Sequence, residues 1–250
     1  MSKTVFITGA TSGIGKACAE IFAKNNNQLI ITGRREGHLA SIKKELEYKY
    51  NSKVTTLCFD VQDRTAVFDA IATLPASTTI HTLINNAGLA LGKEPFDEAL
   101  LTDWEVMMQT NVNGLLYVTK AVLPFIKLQQ GHIVNIGSIA GIEVYENGNA
   151  YCASKFAVNA LSKAMRIDLV KYGIKVTCIN PGATDTEFSL VRFKNDKQKA
   201  ADAYKGYIAL TAADIADTIL YCCSLPAHVC INELTLMCTA QATATHTYKH

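Results

Sequence analysis

Short runs of apolar and β-branched residues recur along the chain and alternate with longer amphipathic stretches. The runs lie at Val5–Ile7, Leu29–Thr32, Val54–Phe59, Thr82–Ile84, His132–Ile136, Val176–Ile179 and Leu234–Met237. Their length and composition predict strands, and apolar residues between most of them recur at helical spacing. This alternation predicts an α/β fold with a doubly wound, mostly parallel seven-stranded sheet and helices on both faces.

Glycine and polar residues follow the predicted strands at their carboxyl ends. In chain order they are Gly9, Arg34, Asp60, Asn86, Ser138 and the pair Pro181-Gly182. A doubly wound sheet binds its ligands in the crevice outside the carboxyl ends of its strands. We therefore expect these residues to share one site.

A glycine-rich loop, residues 8–15, connects the first predicted strand to a predicted helix. Gly9 permits a tight turn, Gly13 lets the backbone approach a pyrophosphate, and Gly15 allows close packing of helix and strand. The helix N-terminus offers free N–H groups and the positive end of its dipole. The spacing differs from the common G-x-G-x-x-G and such a loop can be a plain turn, but the strand before it and the helix after it favour a dinucleotide site.

Tyr151 and Lys155 are four residues apart on a predicted helix, so their side chains share one face. A free tyrosine has a pKa of about 10. A lysine ammonium beside it favours the phenolate and lowers that pKa. The spacing can arise by chance, but beside a nucleotide loop it predicts acid/base chemistry on an oxygen near neutral pH.

Length and composition limit the class of protein. With 250 residues, 49% of them hydrophobic, the chain fits one domain spanning residues 1–250. A net charge of +2 without a basic run gives no indication of nucleic-acid binding. The longest apolar stretches have the length of strands, and the N-terminus does not resemble a signal peptide, so we expect no membrane span.

The eight cysteines are scattered, mostly within apolar runs, and form no C-x-x-C pair. We therefore expect no metal site. Buried, reduced thiols that pack as small hydrophobic side chains are typical of a cytoplasmic protein, and we expect that location.

Two segments near the C-terminus differ from the rest. Residues 184–210 form a long polar connection, which in a compact domain is often a lid or a binding loop. Residues 240–250 are rich in Thr and Ala, and we expect a tail that is either flexible or ordered by a neighbouring subunit.

Several motifs occur in a fixed order along the chain. They are Thr8-Gly9-x-x-x-Gly13-x-Gly15, Asp60-Val61, Asn85-Asn86-Ala87-Gly88, Asn111, Ser138, Tyr151-x-x-x-Lys155 and Pro181-Gly182. With these motifs the chain resembles the classical short-chain dehydrogenases/reductases from Thr4 to about Met237. The resemblance implies a Rossmann fold, a nicotinamide dinucleotide cofactor, an oxidoreductase acting on CH–OH groups, and a homotetramer.

The resemblance also implies a role for each matched residue. Tyr151 matches the general acid/base, Lys155 matches the residue that lowers its pKa and holds the nicotinamide ribose, and Ser138 matches the hydroxyl that orients the substrate oxygen. Asn111 matches a residue that supports a helix break and a water relay. The expected cofactor contacts are Gly9, Thr11, Ser12, Gly13, Ile14, Gly15, Arg34, Arg35, Asp60, Val61, Asn86, Ala87, Gly88, Tyr151, Lys155, Pro181, Gly182 and Thr184. Taken singly, Ser138 and Asp60 could be helix caps and Asn111 a turn residue.

The residues after the second strand indicate which dinucleotide is used. A site for NAD usually places a carboxylate here to bond the ribose 2′-OH, but none occurs before Glu36. Arg34 and Arg35 stand instead where a 2′-phosphate would lie, and a guanidinium can bind that group bidentately. Two solvated surface arginines are the alternative, although a helix N-terminus disfavours positive charge. We therefore expect NADP, with Arg34 as the main reader, helped by Arg35 and Ser12.

Three stretches indicate the substrate. Residues 86–92, 186–194 and 225–229 resemble the NADP-dependent 3-hydroxy acid dehydrogenases, which act on serine, allo-threonine and related acids and reduce malonic semialdehyde. Such a substrate carries a carboxylate, for which Arg192 could supply a bidentate partner. The alternative is that Arg192 is a surface or subunit-interface residue.

Residues 141–147 lie where a substrate wall is expected, and they include Tyr145, a candidate substrate contact. Glu143 and Glu146 in this stretch would repel an acid substrate, bind an amino group such as that of serine, or point to solvent. Two other functions therefore stay open. One is an NADPH-dependent reductase of a neutral ketone, aldehyde or diketone, and the other is a non-catalytic NADP-binding sensor, against which the complete catalytic set argues.

Overall fold

The seven predicted strands form one parallel sheet in a computed structural model of the chain, which describes residues 2–249. The strands of the sheet are β1 (Thr4–Ile7), β2 (Gln28–Gly33), β3 (Val54–Cys58), β4 (Thr82–Asn85), β5 (His132–Ile136), β6 (Lys175–Pro181) and β9 (Glu233–Leu236). Two short strands, β7 (Thr184–Asp185) and β8 (Leu210–Thr211), form a separate parallel pair. The order in the sheet is β3-β2-β1-β4-β5-β6-β9, and it reverses between β1 and β4, where a doubly wound fold has its crevice.

Helices cover both faces of the sheet. They are α1 (Gly13–Lys24), α2 (Glu36–Tyr50), α3 (Arg64–Ala72), α4 (Leu101–Met108), α5 (Leu115–Lys127), α6 (Asn149–Leu169), α7 (Glu187–Arg192), α8 (Lys197–Asp202) and α9 (Ala212–Ser224). A π-helical turn, Gln109–Gly114, joins α4 to α5, and 3₁₀ turns lie at Ile139–Gly141 and Val170–Tyr172. Within residues 2–249, no helix has both the length and the apolar character needed to cross a bilayer.

The sheet is buried on both sides, which is why its strands read as nearly continuous apolar runs. Successive side chains of a strand point to opposite faces. In β1, Val5 and Ile7 pack into the core formed with α1, α2 and α9, whereas Phe6 packs into the core formed with α3 and α5. The predicted parallel sheet with helices on both faces is therefore confirmed.

Strand β6 extends two residues beyond its predicted end, through Pro181. Beyond Ile179 it pairs with β9 alone, where Pro181 lies opposite Leu236. A proline lacks the N–H that a central position in a sheet requires, but it is tolerated at the end of a strand with one free edge.

Candidate active site

A cavity of about 770 Å³ opens at the carboxyl edge of the sheet. It brings together most of the residues predicted for the site, namely Gly9, Thr11, Ser12, Gly13, Ile14, Arg34, Arg35, Asp60, Val61, Asn86, Ala87, Gly88, Ser138, Tyr145, Tyr151, Lys155, Pro181, Gly182, Thr184 and Arg192. Gly15 and Asn111 were also predicted as site residues, but they do not line the cavity. They can affect a bound ligand only by holding the residues that form the cavity wall.

The glycine loop leaves room for a dinucleotide. Gly9 has a φ of +63°, a conformation that favours glycine, and a Cβ on Gly15 would lie only 2.3 Å from the carbonyl oxygen of Gly9. The side chain of Asn86 holds the loop, since Nδ2 donates to the carbonyl oxygens of Thr8 at 2.8 Å and Gly9 at 3.1 Å. This open backbone at the start of α1 fits a pyrophosphate.

The two arginines after β2 line one end of the cavity, and each is paired with a carboxylate. Arg34 Nη1 lies 3.4 Å from Asp60 Oδ2. Arg35 Nη2 lies 3.4 Å from Glu187 Oε2 and donates to Thr11 Oγ1 at 2.9 Å. All four charged side chains are partly exposed to solvent, so a phosphate can approach both ion pairs from the solvent side.

Tyr151 and Lys155 project from α6 and are both buried. Burial raises the pKa of Tyr151 above its ordinary value, while a hydrogen bond with Ser138 and the charge of Arg192 lower it in part. The ammonium of Lys155 lies 6.0 Å from the centre of the Tyr151 ring and donates to the carbonyl oxygen of Ile136 at 2.8 Å. The expected net lowering of the tyrosine pKa is therefore wrong for the isolated chain, because burial outweighs the nearby charges. Tyr151 is a neutral phenol at neutral pH.

Lys155 is affected by the same burial. Loss of hydration lowers the pKa of its ammonium to about 8, because the low-dielectric surroundings disfavour the charged form. The ammonium is therefore still the main form at pH 7, and it begins to lose its proton just above that pH.

Ser138 combines two functions that the sequence presents as alternatives. Its hydroxyl lines the cavity and also accepts a hydrogen bond from the N–H of Ala140 at 3.1 Å, so it caps a 3₁₀ turn. Its own N–H donates to Asn180 Oδ1 at 3.3 Å. Asn180 is fully buried and was missed by the sequence analysis, although its place beside Pro181 at the end of β6 was an available signal.

Asn111 lies in the π-helical turn, where a helix break was expected. Its Oδ1 accepts from the N–H of Leu89 and its Nδ2 donates to the carbonyl oxygen of Leu89, both at 2.8 Å. Nδ2 also donates to Ser154 Oγ at 2.9 Å. Asn111 thus fixes the loop beside Gly88, where an added Cβ would lie 3.6 Å from the ammonium of Lys155.

Arg192 reaches the cavity from the last turn of α7. Its Nε donates to the carbonyl oxygen of Gly92 at 3.3 Å and its Nη1 donates to the Tyr145 hydroxyl at 3.0 Å. The guanidinium carbon lies 5.5 Å from the ring centres of both Tyr145 and Tyr151. Its Nη2 is buried and has no hydrogen-bond partner among residues 2–249. Because a buried donor without a partner is unfavourable, this geometry provides a place for an acceptor or an anion beside Tyr151.

A family model described as short chain dehydrogenase matches residues 3–197. The chain belongs to the short chain dehydrogenase family. An NADP-dependent 3-hydroxy acid dehydrogenase of Salmonella typhi is 44% identical over 243 residues, which are 96% of each chain. A sulfoacetaldehyde reductase of Chromohalobacter salexigens is 46% identical over 246 residues, which are 97% of this chain and 96% of that protein. Among solved structures, the closed form of a serine dehydrogenase complexed with NADP+ has a TM-score of 0.91 and 42% identity, with 99% of both chains covered.

In this short chain dehydrogenase the C-terminal residues contribute to the cavity, which the sequence analysis did not anticipate. The residues concerned are Ala244, Thr245, Thr247 and Lys249. The N–H of Ala244 donates to Glu143 Oε2 at 2.8 Å, and the Gln241 side chain accepts from the N–H of Ala183 at 2.7 Å. The described part of the tail is therefore ordered by its own chain, and Glu143 holds the tail instead of lining the cavity.

Side chains from the 184–210 segment complete the cavity. Phe188 packs against Tyr151 with the ring centres 5.6 Å apart. Tyr204 and Tyr207 also line the cavity, as does Lys93 from the loop after β4. The sequence marked the segment as a binding loop but gave no signal for these individual residues.

Three cysteines depart from the expected burial, and two of them, Cys223 and Cys230, are partly buried. Cys58 is exposed because it ends β3, which lies at the edge of the sheet. Within the described chain, no group of three or more His, Cys, Asp and Glu side chains is placed to hold a metal ion.

Proposed function

We propose that this protein is an NADP-dependent dehydrogenase that transfers a hydride between the nicotinamide and a 3-hydroxy acid or 3-oxo acid. Serine, allo-threonine and malonic semialdehyde represent the substrate class. The observation that carries the proposal is the Nη2 group of Arg192, which is buried beside Tyr151 and has no hydrogen-bond partner within the described part of the chain. The names of two relatives, an NADP-dependent 3-hydroxy acid dehydrogenase and a serine dehydrogenase with NADP+, support it.

The carboxylate of such a substrate would bind beside the hydrogen-bonded pair of Arg192 and Tyr145. The Tyr145 hydroxyl accepts a hydrogen bond from Arg192 Nη1 and still has a proton to donate. Nη2 of Arg192 and the hydroxyl of Tyr145 thus offer two donors to the two oxygens of one carboxylate. Since a 3-oxo acid has its carbonyl two bonds from the carboxyl carbon, this placement would bring the carbonyl oxygen towards Tyr151.

The proton chemistry would be performed by the chain's own residues. A nicotinamide bound in this cavity would supply the hydride in the reductive direction and accept it in the oxidative one. Tyr151, whose raised pKa keeps it protonated, donates its proton to the carbonyl oxygen, and Ser138 donates a second hydrogen bond to that oxygen. The ammonium of Lys155 stabilises negative charge nearby, and Asn111 holds the adjoining loop in place. Oxidation reverses these steps.

For the cofactor, we assign the 2′-phosphate to Arg34 and Arg35 and the pyrophosphate to the glycine loop. Both arginines line the same end of the cavity, and a guanidinium is suited to bidentate binding of a phosphate. The open loop between Gly9 and Gly15 supports the pyrophosphate assignment. From the resemblance we also propose a cytoplasmic homotetramer, for which light scattering of the purified protein would test the mass.

An absorbance assay at the reduced-nicotinamide band tests the proposal. The protein would be mixed with NADP or NAD and with L- and D-serine, allo-threonine, 3-hydroxypropionate, 3-hydroxyisobutyrate and neutral alcohols, and NADPH would be tested with sulfoacetaldehyde. Turnover of NADP with the hydroxy acids and not with neutral alcohols is the expected result. Turnover with neutral alcohols alone would contradict the assignment of Arg192, and tight NADPH binding without any turnover would favour a sensor.

A further inference from the structure

The two arginines proposed to read the 2′-phosphate do not present free positive charge. Arg34 is paired with Asp60 and Arg35 with Glu187, at 3.4 Å in each case. Two positive and two negative side chains therefore meet at this rim of the cavity. The arrangement is electrically balanced, whereas the sequence alone suggests two unopposed arginines.

Glu187 differs from Asp60 in its origin. Asp60 follows β3, within the sheet framework, and Arg34 is close to it after β2. Glu187 comes from the first turn of α7, 152 positions away from Arg35 in the chain. Its carboxylate is about half exposed and lines the same cavity as Arg35 and Thr11.

The hydrogen-bonding edges of the Arg35 guanidinium are both engaged. Nε and Nη2 face Thr11 Oγ1 at 3.3 and 2.9 Å, and Nη1 and Nη2 face Glu187 Oε2 at 3.5 and 3.4 Å. A phosphate that binds Arg35 bidentately must take one of these edges. It would displace a neutral hydroxyl or a carboxylate, and the carboxylate would also repel an incoming dianion.

We propose that Glu187 competes with the ribose 2′-phosphate for Arg35 and so limits the preference of this protein for the phosphorylated dinucleotide. The inference rests on the proposed function for the class of cofactor. It assigns to Glu187 a role in cofactor selectivity that lies outside the glycine loop and outside the residues that follow β2.

The same pair connects the two ends of the cavity. Glu187 begins α7, Phe188 packs on the Tyr151 ring, and Arg192 ends the helix over that ring. The helix that carries the substrate-binding guanidinium is thus tied at its other end to the nucleotide site. The Arg35–Glu187 pair and the proposed carboxylate site therefore share one short helix.

The test measures nucleotide binding without turnover. Dissociation constants for adenosine 2′,5′-bisphosphate and 5′-AMP, measured by calorimetry, isolate the 2′-phosphate, and NADPH and NADH repeat the comparison with whole cofactors. The variants are Glu187→Gln and Glu187→Ala. Both remove the negative charge, and Glu187→Ala also excludes a new hydrogen bond from a glutamine amide to the phosphate. Asp185→Asn is the matched control. It removes a negative charge from the same segment, but Asp185 does not line the cavity.

Both Glu187 variants should bind adenosine 2′,5′-bisphosphate and NADPH about three- to fivefold more tightly, the size expected for an exposed charge pair, and leave 5′-AMP and NADH unchanged. Asp185→Asn should change neither the ratio of the affinities for adenosine 2′,5′-bisphosphate and 5′-AMP nor the ratio for NADPH and NADH. In an Arg35→Gln background the effect of Glu187→Gln should disappear, because the two residues would act as one pair.

Two results would overturn the inference. One is an unchanged or smaller preference for the 2′-phosphate in both Glu187 variants, and the other is a gain that persists without Arg35. Either result would leave the proposed function intact if the unmodified protein prefers NADPH to NADH. An unmodified protein without that preference would contradict the proposed cofactor, while a preference created by Glu187→Ala would still support the inference.

Discussion

The glycine loop of the nucleotide half and the substrate half of the cavity are held in different ways, although ion pairs also join side chains at the arginine end of the nucleotide half. The nucleotide half consists of the glycine loop and the ends of β1, β2 and β4, where side chains bond to the main chain, as Asn86 does to Thr8 and Gly9. In the substrate half the decisive contacts join side chains from distant segments, such as Arg192 to Tyr145. We infer that changes in the nucleotide half affect whether a dinucleotide binds at all. Changes in the substrate half should affect which substrate is chosen.

The largest effect is expected at Tyr151, where the two halves meet. Tyr151→Phe removes the proposed proton donor and should lower kcat by about 10²- to 10⁴-fold, the range for a lost general acid/base. NADPH binding, measured by fluorescence titration, should be preserved because the ring remains. A variant with near-normal turnover would remove Tyr151 from the mechanism.

The second largest effect is expected at Arg192, in the substrate half of the cavity. Arg192→Ala should raise KM for a 3-hydroxy acid by about ten- to a hundredfold, the size of a lost charge-assisted hydrogen bond, and change KM for a neutral alcohol little. Arg192→Lys keeps the charge and loses the planar fork, so its KM for the 3-hydroxy acid should lie between those of the unmodified protein and of Arg192→Ala. An equal rise for acid and neutral substrates would contradict the carboxylate assignment.

A substitution in the nucleotide half should give the opposite pattern. Asn86→Ala removes two hydrogen bonds that hold the glycine loop and should lower the free energy of unfolding by about 1–3 kcal/mol. NADPH should bind more weakly, while the ratio of kcat/KM for acid and neutral substrates should not change. Asn25→Ala, at an exposed helix end, is the control and should leave nucleotide binding unaltered.

The smallest effect concerns pH. Since burial lowers the pKa of Lys155 to about 8, its ammonium is lost as the pH rises through that value. The kcat/KM for NADPH, which reports the free enzyme, should fall by about half between pH 7 and pH 8 and continue to fall above it. A flat profile from pH 7 to pH 9 would show that the charge of Lys155 is not used.

The nucleotide half was largely predictable from the sequence because its function depends on backbone geometry. Glycines such as Gly9 and Gly15 stand at fixed offsets from a strand, and the apolar runs locate the strands. The ends of parallel strands then bring Asn86, Ser138 and Pro181 to one edge without any knowledge of side-chain contacts.

The rest could not be read from the sequence for two reasons. The partners of Arg35 and Ser138, namely Glu187 and Asn180, are distant in the chain, and no periodic pattern links them. Whether the pKa of Tyr151 is raised or lowered depends on the balance between burial and nearby charge, and burial can be evaluated only in the folded chain.

The position of the C-terminal tail has a practical consequence for work with this protein. Lys249 lies in the wall of the cavity, while β1 begins at Thr4 on the opposite edge of the sheet. A purification tag or fluorescent fusion attached directly after Lys249 would therefore start at the wall of this cavity. Recombinant material for the measurements above should therefore carry its tag at the amino end.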